Sequence, residues 1–328
     1  MLIPSLLTAL LAVVVIVTVV DRADATDVDS EAVADPVCTM SDSRVDEQSG
    51  LAISVAHDQT AYMVNDSGNA PEVYAVDLTT CEIVGVTTVR DADWTDPEAM
   101  ALDGDGTLWI ADTGDNDGVR DHGWLYALPE PGRSDDAVTP EQYPIAYPAG
   151  AEDVESLAVD GSTGRMWLVT KGWMGGELLE LPAELSTTEV TMALSTGVDM
   201  PILVTDAAMT ADGHYLLVRT YLRATLYDAE DGFAMVEDIE LPGQSQGETV
   251  AVDPTGTSLI VGSEGLGEQL FRVPLTTPEK VEPAPQPQPA SAVGRGAADL
   301  SRWMIVGAVG AALLLVGGLV ALRARRRS

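Results

Sequence analysis

The chain repeats itself, and the repeat limits what it can fold into. Five short segments, SGLAIS from Ser49, EAMALD from Glu98, ESLAVD from Glu155, DAAMTA from Asp206 and ETVAVD from Glu248, each lead to a turn carrying Gly or Asp. Each turn runs into a second apolar stretch: AYMVND, TLWIAD, RMWLVT, YLLVRT and SLIVGS. A third follows: EVYAVDL, WLYALPE, ELLELPA, ATLYDAE and EQLFRVP. The apolar residues alternate or run in fours, which suits strands and excludes helical solenoids. A unit of about 40–50 residues with several strands matches a propeller blade. One such unit leaves both faces bare, so neighbours must flank it around an axis. The expected fold is all-β, a β-propeller over 37–277 with five blades. Six is the alternative if 112–150 holds extra strands.

Fourth strands are expected at 82–89, 141–148, 189–195 and 234–241. The fifth unit ends after its third strand. PVCTM, at 36–40, precedes the first unit and can supply the missing outer strand. Such a closure removes open sheet edges. It also places Cys38 beside Cys81 of the first blade, so a disulfide between these two cysteines is expected to clip the ring.

The two ends lie outside the repeat. Residues 2–20 are apolar and are followed by the small–x–small triplet Ala23, Asp24, Ala25, so 1–25 is expected to be a signal peptide. No Lys or Arg precedes the run, and an uncleaved signal anchor is the other reading. Residues 26–36 are acidic and non-periodic, a disordered lead-in. The Pro-rich run 278–301 reads as an extended stalk. Residues 302–322 are long and apolar enough for one transmembrane helix, and the arginines of 323–328 place that end in the cytoplasm. The expected location is therefore the cell membrane, with a single span and the propeller outside.

The formal net charge of −35 disfavours nucleic acid as a partner. Glu98, Glu155, Asp206 and Glu248 share one repeat position with Ser49, at the start of the innermost strand. In a propeller such positions ring the channel mouth, on the face carrying the loops between second and third strands. Those loops hold Asp66, Asp112, Asp115, Asn116, Lys171, Arg219 and Glu264. Carboxylates meeting at a narrow mouth repel one another unless a cation or a proton intervenes. Oxygen donors of this kind suit Ca²⁺. The metal candidates are thus Glu98, Glu155, Asp206, Glu248, Asp112, Asp115, Asn116 and Asp66. Lys171, Trp173, Arg219 and Glu264 are candidate ligand contacts. An alternative role for the strand-start acids is to accept backbone N–H bonds that lock blade to blade. No serine lies in a nucleophile-elbow sequence, and Trp109 and Trp167 recur at one strand position suited to packing.

The motifs Ser49-Gly50-Leu51-Ala52, Asn65-Asp66-Ser67-Gly68, Asp93-Trp94, Asp112 with Gly114-Asp115-Asn116, Arg120 and Glu130-Pro131 resemble a family of secreted or membrane-anchored bacterial propellers common in actinobacteria. The usual D-W-E-D is stretched here to DWTDPEA, with Glu98 in the acidic place. More distantly the chain resembles phytase-like and gluconolactonase-type propellers, some of which hold calcium at the channel mouth. Two functions are expected to compete. One is a cell-surface binding module for an extracellular ligand or protein. The alternative is a calcium-dependent hydrolase of a phosphoester or lactone.

Overall fold

The computed structural model describes residues 34–278, so the signal segment, the stalk, the span and the basic tail lie outside the described residues. The chain divides into two compact units, Met1–Thr277 and Pro278–Ser328, and of the second only Pro278 is described.

The described part of the first unit is a five-bladed propeller, and strands are the only regular elements among the described residues. It starts with β1 (Asp35–Thr39), within the segment expected to close the ring. Blade one is β2 (Gln48–Ile53), β3 (Thr60–Asn65), β4 (Glu72–Asp77) and β5 (Glu82–Val89). Blade two is β6 (Pro97–Leu102), β7 (Thr107–Asp112) and β8 (Gly123–Pro129), then, after the short β9 (Asp136–Val138), β10 (Glu141–Ala146). Blade three is β11 (Val154–Val159), β12 (Met166–Thr170) and β13 (Gly176–Glu180), then, after β14 (Thr191–Met192), β15 (Leu194–Met200). Blade four is β16 (Val204–Met209), β17 (Tyr215–Thr220), β18 (Arg223–Asp228) and β19 (Ala234–Glu240). Blade five is β20 (Thr249–Val252), β21 (Ser258–Gly262) and β22 (Gln269–Pro274), with β1 as its outer strand.

Each pair of neighbouring blades encloses its own core. Tyr62 and Val64 of blade one meet Ile110 and Tyr126 of blade two, and Leu157 and Leu168 of blade three meet Leu125 and Ile145 of blade two. Two more cores join blades three to four and four to five. The last joins Ile260 and Leu270 to Leu51 and Met63, which closes the ring. Burial on both faces explains why β3, β11 and β21 are buried along their whole length. Cys38 and Cys81 lie in this closing core and are disulfide-bonded, with Cα atoms 5.5 Å apart. A crosslink spanning 43 residues contributes roughly 3–4 kcal/mol in the chain-entropy model.

Two expectations need correction. The lead-in cannot extend to residue 36, because β1 begins at Asp35 and pairs with β22. The outer strand of blade three is β15, later than 189–195. Thr191 and Met192 pair instead with β10 of blade two, and the bulge at Gly197 (φ 71°) resets the register on β13. The extra strand in 112–150 is β9, which pairs in parallel with β5 and adds no blade.

Candidate functional site

The pairing register defines the repeat residue by residue. Gly50 opposes Val64, Ala99 opposes Ala111, Ser156 opposes Val169, Asp206 opposes Arg219 and Thr249 opposes Gly262. The residue just before each inner partner therefore forms one ring: Ser49, Glu98, Glu155, Thr205 and Glu248. In the first four blades this residue sits at a register shift near the strand start, which turns its side chain out of the ladder. Two residues beyond each outer partner lies a second ring: Asp66, Thr113, Lys171, Tyr221 and Glu264.

Most of these residues meet in a cup of about 220 Å³ at one end of the channel. Its walls are Glu47, Gln48, Ser49, Asp66, Glu98, Asn116, Glu155, Lys171, Tyr221, Gln246, Glu248 and Glu264. A further cavity is lined by apolar residues of the inner strands, among them Leu51, Met100, Leu157 and Val250.

Asp206 and Arg219 are expected at this mouth, but the structure buries both. Asp206 lies one residue past the ring position, so strand alternation turns it into the barrel wall. Its carboxylate accepts the N–H of Val250 at 2.7 Å and of Ala207 at 2.8 Å, tying blade four to blade five. Arg219 occupies the core position filled by valine or alanine in blades one to three. It donates to Thr249 O and, at 2.6 Å, to Gln244 Oε1. Burial draws the Arg219 pKa down to about 10, against the attraction of Asp206 and Glu248.

Asp112 and Asp115 also serve the scaffold. Asp112 accepts the N–H groups of Thr95 and Asp96 and an Arg120 Nη1 contact at 2.9 Å. Asp115 accepts the N–H groups of Val119 and Arg120. This knot presses Gly114 against the cup acids. A Cβ on Gly114 would lie 2.5 Å from both Asp96 Oδ2 and Glu98 Oε1, so any larger residue here would displace these carboxylates. The same loop delivers Asn116 to the cup wall.

Asp96 is the residue that the repeat alone does not reveal. It stands beside Asp66 and Glu98, and one oxygen from each of the three lies within 4.8 Å of the others. The signal available in the sequence was the D-P-E triplet, with Pro97 holding two acids either side of the strand start. Tyr221 was missed as well. Counting two residues past the ladder, as Asp66, Lys171 and Glu264 do, identifies it.

Electrostatics set these acids apart. Burial, then a hydrogen bond with Asp66 and repulsion from Asp66 and Asp153, pushes Asp96 up to about 7. Burial, then Glu155, Asp66 and Asp96, holds Glu98 well above the carboxylate range. Glu248 is pushed up to about 7, chiefly by burial, with Lys171 opposing. Glu155 is also raised by burial, although Lys171 Nζ lies 2.9 Å from its Oε1. Burial opposes the charge on Lys171, but Glu155 outweighs it and keeps the ammonium protonated. Neither Lys171 nor Arg120, the cations nearest by, forms an ion pair with Asp66, Asp96 or Glu98. Ser49 Oγ donates to Glu98 Oε2 at 2.8 Å and fixes that carboxylate. Three convergent oxygen donors with an amide nearby form a donor set that fits a hard cation such as Ca²⁺. The cradle behind them, kept free of any Cβ at Gly114, is consistent with that use.

Trp173 is exposed on the β12–β13 loop and does not line the cup. Trp167 packs edge-on against Phe233, and Trp109 donates to Asp103 Oδ2 and stacks near Tyr143, so both serve packing.

No curated protein matches the chain. Among solved structures, a gluconolactonase from Xanthomonas campestris is similar at 12% identity, with 69% of this chain and 72% of that one covered and a TM-score of 0.42. A calcium-binding regucalcin from Agrobacterium tumefaciens is similar at 17% identity, covering 69% and 75%, with a TM-score of 0.39. A phytase-like family model, described as esterase-like activity of phytase, matches residues 43–220. That span is more than half of the chain, takes in three blades and reaches into the fourth, and the chain belongs to this phytase-like family.

Proposed function

We propose that the chain is a calcium-dependent hydrolase of an ester or phosphoester, working at the acidic cup. The observation that carries this is the cluster of Asp66, Asp96 and Glu98, drawn from two blades with their oxygens within 4.8 Å and, among the described residues, no Lys or Arg ion-paired to them. Membership of a family described by esterase-like activity favours turnover over binding alone.

Asp66, Asp96 and Glu98 would hold the ion, with the Asn116 amide at the same wall. Bound there, Ca²⁺ supplies Lewis-acid polarisation of a substrate oxygen. Lys171, held protonated by Glu155, offers a positive charge to an anionic substrate oxygen. Glu248, pushed up to about 7, is suited to take or give a proton near neutral pH. In the reaction, water delivers its hydroxyl to phosphorus or the acyl carbon. The ester bond to oxygen breaks, and the leaving oxygen takes a proton. The Cys38–Cys81 disulfide supports an oxidising, extracellular setting. Together with the apolar segments of the sequence, it supports a single-pass, membrane-tethered enzyme whose propeller faces outward.

The test is equilibrium dialysis with Ca²⁺, paired with turnover of p-nitrophenyl phosphate, p-nitrophenyl acetate and a lactone. Ca²⁺ should bind, and turnover should vanish with a chelator and in the Asp96→Asn, Glu98→Gln double variant. Calcium binding with no turnover on any of the three substrates would leave an extracellular binding module instead.

A further inference from the structure

The cup has one wall unlike the others, and what it implies rests on the hydrolase reading above. Tyr221 lines the cup and also a neighbouring groove of about 370 Å³ formed by the 201–203 and 220–223 segments. Leu222 is 79% exposed and Ile202 55% exposed in this groove. Trp173 and Met174, 84% and 98% exposed, stand on the adjoining loop. The loops are fastened together: Leu203 N–H donates to Gly172 O at 3.1 Å, and Gly176 N–H donates to Pro201 O at 3.1 Å. A clustered apolar surface of this kind marks a contact site.

The cup itself limits what can enter. It carries six carboxylates and only one cationic side chain, Lys171. A polyol bearing many phosphates would meet repulsion on most sides. One lysine and one bound cation match a single compact anionic head. At 220 Å³ the cup is also smaller than the roughly 300–1,000 Å³ of typical small-molecule sites, whereas the cup and the groove that shares Tyr221 with it together reach that range. We propose that the substrate is an alkyl or aryl phosphate monoester. Its phosphoryl head sits in the cup, and its apolar group lies across Tyr221 into the groove beside Ile202 and Leu222.

The test measures binding of methyl-, butyl- and hexylphosphonate to the full chain with Ca²⁺ by calorimetry, beside turnover of the matching alkyl phosphates. Affinity should rise roughly twofold to fourfold per added methylene. The Ile202→Ser, Leu222→Ser double variant should lose most of that rise, while keeping Ca²⁺ binding and methylphosphonate affinity. Both residues are exposed, so the variant should fold. Inositol hexakisphosphate should bind no better than methylphosphonate. Equal affinity along the series, no phosphonate binding, preferred binding of the hexakisphosphate, or a chain-length preference that survives the double variant would each overturn the assignment. Chain-length-dependent binding without turnover would overturn hydrolysis alone, and turnover without chain-length dependence would overturn the groove alone.

Discussion

Blades two and four each place an acid at the start of the inner strand, and they use it in opposite ways. In blade two, Glu98 sits at the register shift, faces the cup and, among the described residues, forms no ion pair. In blade four the acid is Asp206, one residue later, and the ring position belongs to Thr205. That single step turns the carboxylate into the wall, where two backbone N–H groups and the nearby Arg219 occupy it. Blade two commits its own arginine, Arg120, to Asp112 and the Gly114 carbonyl, leaving Asp96 and Glu98 beside Asp66 without it. Whether a repeated acid builds the scaffold or the site therefore depends on its parity along the strand.

The largest test of this contrast replaces each acid by its amide. Asp206→Asn sets an NH₂ group against one of two backbone donors and removes the carboxyl beside a buried guanidinium. It should cost about 3–5 kcal/mol in urea unfolding, the usual range for breaking a buried charge arrangement. Glu98→Gln keeps an acceptor for Ser49 Oγ and relieves the burial of a crowded carboxyl. Its stability should stay within about 1 kcal/mol of the parent, while Ca²⁺ affinity falls at least tenfold. Equal losses of stability in the two variants would remove the distinction between the blades.

A smaller effect is expected at Gly114. The added methyl of Gly114→Ala would press on Asp96 Oδ2 and Glu98 Oε1 at 2.5 Å. Overpacking of this kind costs about 1–3 kcal/mol, and here it should fall mainly on Ca²⁺ affinity, because the displaced atoms are the ligands. Gly243→Ala, which meets nothing within 4 Å, is the control and should change neither. Calorimetric Ca²⁺ titration of both variants decides it.

The contrast also shows how far the sequence could be read. Blade number, ring closure and the Cys38–Cys81 bond were legible because hydrophobic period and chain order determine them. The acids of the cup were legible only in part. Aligning DAAMTA with EAMALD matches similar letters, but the backbone register pairs Asp206 with Arg219 and shifts the repeat by one. The same slip put Arg219 in place of Tyr221. Asp96 was hidden because it precedes the repeat and is placed by bonds from its backbone to Asp112 and Gly114. A one-residue shift at a bulge changes no hydrophobic period, so pattern reading cannot detect it.

The mildest test is titration. Asp96 and Glu248 are pushed up to about 7, from ordinary values of 3.8 and 4.5. A carboxyl that holds its proton more tightly when folded adds stability below its unfolded pKa, and that stability is lost as pH rises through the folded value. Without Ca²⁺ the melting temperature should therefore fall between about pH 4 and pH 8. Asp96 is partly exposed, so solvent screening keeps the decline modest. Asp206, whose proton affinity is raised by full burial against two N–H donors and Arg219, lies away from the proposed ion and should contribute nothing that calcium can reverse. Saturating Ca²⁺ binds the ionised acids, so its stabilisation, about 2.7 kcal/mol at a hundredfold excess over Kd, should be larger at pH 8 than at pH 5. Melting curves at both pH values, with and without Ca²⁺, separate the two blades. A calcium shift equal at pH 5 and pH 8 would mean that the cup carboxyls are not its ligands.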